Sequence, residues 1–142
     1  MSKVKKIGIA GYGIIGKRRH SVIDNNPRLQ VIAGCDRTFI QDRQVKDGVT
    51  FYQDYKSLLE HSELDAIFVC MSNDFAAEVT IAGLEKDLHV FCEKPPGINI
   101  EQVHKIINVE KKKPQLKLMY GFNHRYHDAV IEALRISKEQ EL

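Results

Sequence analysis

The chain has 142 residues, 43% hydrophobic and 28% charged, with a formal net charge of +2. That balance suits one globular domain with a proper core, and so small a positive charge gives no reason to expect nucleic acid. Three cysteines without a CxxC spacing make no disulfide framework, no apolar stretch is long enough to span a bilayer, and Met1–Lys6 lacks the apolar centre of a signal peptide, so a reduced, cytoplasmic protein is expected.

Taken in order, Lys5 to Ala10 reads as a short apolar strand. It runs into Gly11-Tyr12-Gly13-Ile14-Ile15-Gly16 and then a helix from Ile14 to Asn25, closed by the turn cluster Asn25-Asn26-Pro27. Leu29 to Cys35 is a second buried strand. Phe39 to Asp47 is expected as a weak helix stopped by Gly48, followed by a third strand over Val49 to Tyr52 and a short helix capped by Asp54. Asp65 to Met71 is a continuous apolar run, as a parallel strand buried on both faces should be. Asn73 or Asp74 caps the helix that comes next, to Lys86. His89 to Cys92 is the fifth strand. Asn99 with Gln102 gives a capping-box start to the next helix. Leu116 to Tyr120 is the sixth strand, and Asp128 to Ser137 the last helix.

Strands alternating with helices predict an α/β doubly wound parallel sheet in three layers, with right-handed crossovers. A glycine turn after the first strand selects the Rossmann order third-second-first-fourth-fifth-sixth. In such a sheet a ligand binds beyond the carboxyl ends of the strands, near the switch between the first and fourth, which says which loops to read for chemistry.

The glycine turn is the first of these loops. Its glycines permit the tight turn, the approach of backbone to a pyrophosphate and the packing of helix on strand. The helix start then offers free N–H groups and a positive dipole end. Asp36, about twenty residues past the turn, sits where a carboxylate takes ribose hydroxyls. This favours NAD, while Arg37 beside it leaves NADP open. After the fourth strand come Met71-Ser72-Asn73, beside the pyrophosphate in this topology, with Cys70 at the strand end. After the fifth strand comes Glu93-Lys94-Pro95-Pro96-Gly97, where a lysine ammonium faces the crevice and can polarise a substrate oxygen. After the sixth, Asn123, His124, Arg125 and His127 line the same edge. His124 and His127 lack a completing Cys or carboxylate, so no metal is expected. Cys35, Cys70 and Cys92 read as small core residues without a nucleophilic role. The run Lys17-Arg18-Arg19 reads as a solvated helix face.

The turn GYGIIG, Asp36, the strand-end Glu93-Lys94-Pro95 and the segment GFNHRYH together resemble the N-terminal domain of the Gfo/Idh/MocA oxidoreductases, over about Val4 to Ser137. The resemblance implies NAD(P)-dependent hydride transfer with a sugar or nucleotide-sugar hydroxyl. By it, Gly11, Tyr12, Gly13, Ile14, Ile15 and Gly16 hold the pyrophosphate, and Asp36 with Arg37 the adenosine ribose. Cys70, Met71, Ser72 and Asn73 border the nicotinamide ribose. Glu93 and Lys94 line the nicotinamide end, Lys94 also being catalytic and touching substrate, with Asn123, Arg125 and His127 at the substrate mouth. The wording departs from the family after the fourth strand, where Met71-Ser72-Asn73 replaces the usual Thr-Pro-Asn and Ala76 stands at a common His position. Family members continue into a second domain that roofs the nicotinamide, supplies an Asp or His acid/base and forms most of the homo-oligomer interface. With Leu142 as the last residue, residues 1–142 are expected to be the cofactor domain without that partner, binding nucleotide with little or no turnover. A non-catalytic NAD(P)-binding or sensing module is the alternative, and a methyltransferase, whose glycine turn and acid look alike, a third.

Overall fold

The molecule is described by a computed structural model covering residues 3 to 139; Met1, Ser2 and residues 140–142 lie outside the described residues. In chain order the elements are β1 (Lys5–Ala10), α1 (Ile14–Asp24), β2 (Leu29–Cys35), β3 (Gln44–Lys46), β4 (Val49–Tyr52), α2 (Tyr55–Leu59), β5 (Ala66–Val69), α3 (Asn73–Glu85), β6 (His89–Cys92), α4 (Ile100–Glu110), β7 (Leu118–Tyr120), a 3-10 turn (Asn123–Tyr126) and α5 (Asp128–Glu139).

One sheet holds the strands in the order β3-β4-β2-β1-β5-β6-β7. The six expected strands are all present, in the expected order, and all pair in parallel. β3 is additional: it pairs antiparallel with β4, Lys46 opposite Val49. The weak helix expected over Phe39–Asp47 does not form. Asp47 and Gly48 both have positive φ, 51° and 79°, which is the two-residue turn of a tight hairpin. An Asp-Gly pair before an apolar strand is a strong short-range hairpin signal, and here it outweighs a helical pattern that no hydrophobic stripe supports. The strand ends the sheet as a short, exposed edge carrying Lys46, a form that discourages further pairing.

Side chains alternate along the strands, and both faces are used. From β1, Ile7 and Ile9 join Ile23 of α1, Val31 and Phe51 on one side, while Ala10 joins Leu58, Ile67, Val79 and Leu84 on the other. Each fully buried large aliphatic contributes roughly 1.5–3 kcal/mol, and Ile9, Leu58, Ile67, Val79 and Leu84 are all fully enclosed. The second face carries α2, α3 and α4. The first carries α1 alone, over β1 and β2, so the third layer is half built. Over β5, β6 and β7 the same face presents Phe68, Phe91 and Met119 in register, and among the described residues the Arg19 side chain of α1 reaches over Phe91. Among the described residues α5 packs chiefly on the 3-10 turn before it and buries none of its residues.

The helix starts obey local chemistry. Asp54 caps α2 by accepting from Ser57 N at 2.9 Å. Asn99 caps α4 by accepting from Gln102 N at 2.9 Å. Gln102 closes the box on Ile98 N at 3.0 Å, one residue earlier than the usual pattern. At α3 the cap position falls to Ser72 and not to Asn73 or Asp74, with Asp74 in the first turn where its charge suits the dipole.

Candidate functional site

Parallel pairing puts the carboxyl ends of six strands on one edge, and the loops singled out by the sequence all leave from it. The glycine turn is built as its composition requires. Gly11 has φ +89°, and a β-carbon there would stand 2.6 Å from the Cys70 carbonyl oxygen. A β-carbon on Gly16 would stand 2.1 Å from the Gly11 carbonyl oxygen. Above Gly13 there is open space. Gly11 N and Tyr12 N both donate to the Cys35 carbonyl at 2.9 Å, which ties the turn to β2 and removes both donors from any ligand. The first helical bond runs from Lys17 N to Gly13 O at 3.0 Å, so the N–H groups of Gly13, Ile14, Ile15 and Gly16 remain as orphan donors. Among the described residues no side chain caps this helix start, and no acid sits in its first turn. A glycine-sized gap over free donors at a positive dipole end fits a pyrophosphate.

Tyr12, placed in the phosphate set by the sequence, contributes only its backbone to the turn. Its ring lies against the sheet face that carries α1, packing on Phe51 at 4.8 Å between centroids, and its hydroxyl meets Nδ1 of His20. His20 Nε2 in turn lies 3.0 Å from Asp24 Oδ2. Burial, then the Asp24 charge, pushes the Tyr12 phenol above its ordinary pKa. These three side chains border a flank cavity of about 620 Å³, larger than the strand-end cleft. Its walls include Gln30 and Val49, at the opposite ends of β2 and β4 from the loops of interest.

The strand-end cleft, of about 420 Å³, brings together Gly13, Asp36, Arg37, Met71, Ser72 and Phe75. Asp36 Oδ1 accepts from Thr38 N at 3.0 Å and from Thr38 Oγ1 at 2.8 Å. One carboxylate oxygen is thus held by its own turn and the other is left for a ligand. Arg37 is exposed, without an ion pair among the described residues. Ser72 and Asn73 are exposed beside the turn, and Met71 is half-buried. Gln53, Tyr55 and Phe75 also line this cleft, although their local sequence does not single them out. The first two come just after the carboxyl end of β4, so the rule that pointed to the other loops points to them as well. Burial pushes the thiols of Cys35 and Cys70 up to about 12 and that of Cys92 upward, which keeps all three neutral; Cys35 and Cys92 are buried, while Cys70 is half-buried and lines the cleft.

At the far end, Lys94 is exposed, unpaired among the described residues, and followed by a cis bond to Pro95. Glu93 is half-buried and held by Arg19 of α1, whose Nε donates to Glu93 Oε1 at 2.6 Å and whose Nη2 meets the same oxygen. The guanidinium lies over the Phe91 ring, 5.2 Å from its centroid. Arg19 therefore departs from the solvated face expected of Lys17-Arg18-Arg19. Reaching from α1 to β6 requires the tertiary packing of the two, which no local pattern reports. Gly121 crowds the same carboxylate, since a β-carbon there would lie 2.8 Å from Glu93 Oε2. Asn123 and Arg125 are exposed on the 3-10 turn after β7, Arg125 over the ring of Tyr126 at 5.8 Å. His127, at its end, accepts from Ala129 N at 3.3 Å. These three share the edge with Lys94 and are not gathered into the cleft. Among the described residues no three His, Cys, Asp or Glu side chains converge as a metal site would need.

A parallel doubly wound sheet with a glycine turn at the switch point, an acid after the second strand and free donors at the first helix defines an NAD-binding Rossmann domain. The chain belongs to the Gfo/Idh/MocA oxidoreductase family, whose NAD-binding Rossmann fold matches residues 5–122. Inositol 2-dehydrogenase of Salmonella typhimurium is 27% identical over 142 residues, covering 96% of this chain and 42% of the relative. Myo-inositol 2-dehydrogenase of Thermotoga maritima is 34% identical over 125 residues, covering 85% and 37%. Among solved structures, scyllo-inositol dehydrogenase of Lactobacillus casei with bound NAD(H) and scyllo-inositol matches with a TM-score of 0.83 at 25% identity, covering 98% of this chain and 42% of that one. Myo-inositol 2-dehydrogenase of Lactobacillus plantarum matches with a TM-score of 0.84 at 31% identity, again covering 98% and 42%. The chain thus spans about two-fifths of the length of these relatives. No described helix is long and apolar enough to cross a membrane.

Proposed function

We propose that residues 1–142 are the cofactor half of an NAD-dependent dehydrogenase acting on a ring hydroxyl of a cyclic polyol or sugar. The observation that carries this reading is the convergence on one sheet edge of the α1 donors, the second oxygen of Asp36 and the ammonium of Lys94, all without partners among the described residues. Gly13, Ile14, Ile15 and Gly16 hold the pyrophosphate through their N–H groups, and Asp36 takes the adenosine ribose, with Met71, Ser72 and Asn73 along the floor. The bound nicotinamide supplies the acceptor or donor of hydride. Lys94 donates a hydrogen bond to the reacting oxygen of the substrate, orients it and stabilises the charge that develops there. Asn123, Arg125 and His127 stand at the substrate mouth. The inositol dehydrogenases among the relatives support a cyclitol or sugar as substrate over a nucleotide sugar. Asp36 favours NAD, since a carboxylate repels a 2′-phosphate. Lys94 is open to solvent here, so each of its contacts is weakened by water, and the chain alone is expected to bind nucleotide without appreciable turnover.

The test is a calorimetric titration of the chain with NADH, NADPH and S-adenosylmethionine. Binding of NADH in preference to both others is expected. Binding of the methyl donor alone, or of none, overturns the reading.

A further inference from the structure

Glu93 stands at the nicotinamide end of the proposed cofactor site, and any role for it in binding rests on that proposal. Its carboxylate is not free to choose its orientation. Arg19 takes one oxygen twice over, through Nε and Nη2. Both side chains are largely withdrawn from water, 32% exposed for Arg19 and 18% for Glu93. Phe91 lies under the guanidinium and itself stacks on Phe68 at 4.8 Å, so Arg19 is supported from below as well as by charge. Gly121 keeps the second oxygen in place without covering it, because a β-carbon there would lie 2.8 Å from that oxygen. That second oxygen, Oε2, accepts no hydrogen bond among the described residues. The arrangement fixes which lone pairs of Glu93 point to a ligand. It also turns the carboxylate toward α1 and gives it a cation, leaving its chain neighbour Lys94 without an ion-pair partner among the described residues.

We infer that Arg19 is a positioning residue for the nicotinamide half of the cofactor: it holds Glu93 so that Oε2 accepts from a donor of that half, a carboxamide or ribose hydroxyl, while keeping Glu93 from pairing with Lys94. Arg19 lies one turn beyond Gly16 on the helix whose start is offered to the pyrophosphate. The two ends of the dinucleotide are therefore read from one rigid element. A planar fork suits this task better than an ammonium, because two donors converge on one oxygen while the flat face rests on a ring.

The inference is tested by comparing affinities for NADH and for ADP-ribose, which lacks the nicotinamide, in the wild-type chain and in Arg19→Gln, Arg19→Lys, Glu93→Gln and the Arg19→Gln/Glu93→Gln double variant, by calorimetry. Arg19→Gln is expected to weaken NADH about tenfold while leaving ADP-ribose within about twofold, the scale of one charge-assisted hydrogen bond. Glu93→Gln is expected to do the same, the double variant to lose no more than the worse single, and Arg19→Lys to fall between wild type and Arg19→Gln. A change that merely loosens the fold lowers both ligands together. Binding of both ligands with an unchanged NADH to ADP-ribose ratio in Arg19→Gln, or losses that multiply in the double variant, overturns this inference alone. Failure of the wild-type chain to bind either ligand overturns the cofactor reading and this inference with it.

Discussion

Gly16 approaches Gly11 in a way that only a glycine at position 16 permits: a β-carbon on Gly16 would stand 2.1 Å from the Gly11 carbonyl oxygen. Gly13, between them, faces open space: apart from its chain neighbours, no atom of the described residues lies within 4 Å of where its β-carbon would be. The same motif thus contains a packing glycine and a glycine facing open space, and substitution separates them. Gly16→Ala is expected to destabilise the fold by about 1–3 kcal/mol, since backbone must shift to admit the methyl group. Gly13→Ala is expected to leave stability within about 0.5 kcal/mol while reducing NADH affinity at least about tenfold, because the methyl stands over the free donors. Urea unfolding and NADH titration of both variants check the pair of outcomes, and a large unfolding shift in Gly13→Ala contradicts it.

Asp36 is half committed to its own turn through Thr38. Asp36→Ser is expected to lower NADH affinity about tenfold and to move the NADPH to NADH ratio toward NADPH, with Arg37 free to meet a 2′-phosphate. Competition titrations with the two dinucleotides measure that ratio. An unchanged ratio places the ribose elsewhere.

Asp65 joins the starts of β1 and β5. Its carboxylate accepts from Lys5 Nζ at 2.8 Å and from Lys6 N at 2.9 Å. The Lys5 hydrogen bond first, then the Lys6 amide, hold its pKa below the ordinary value of 3.8. A pKa lower in the folded than in the unfolded chain stabilises above the unfolded value, and that contribution is lost as pH falls through the folded one. Asp65→Asn is therefore expected to be less stable than wild type at neutral pH, and the two should converge as the pH drops below the ordinary carboxylate range. Urea midpoints across that range give the comparison; a gap that widens in acid contradicts the assignment.

The thiols of Cys35 and Cys70, pushed up to about 12 by burial, are expected to react with iodoacetamide far more slowly in the native chain than in denaturant near pH 8. Fast native labelling of either, mapped by peptide mass, contradicts a thiol held neutral by burial.

The order of strands and helices, the parallel sheet and the places where ligand loops leave it were legible in the chain alone. Those features rest on local periodicity and on glycine positions that few alternatives satisfy. The Asp47-Gly48 hairpin was equally local and was masked by a weak helical pattern in Phe39–Asp47. Which parts of each loop are free to act was settled by packing in three dimensions. Tyr12 turns its ring to the α1 side because Phe51 and His20 await it there, and its N–H is spent on Cys35. Arg19 leaves a helix face that reads as solvated because Glu93 and Phe91, seventy residues and more away, complete it. Spacing along a chain shows which residues arrive at the same edge. Which of their atoms remain unpaired there is set by contacts between elements far apart in sequence.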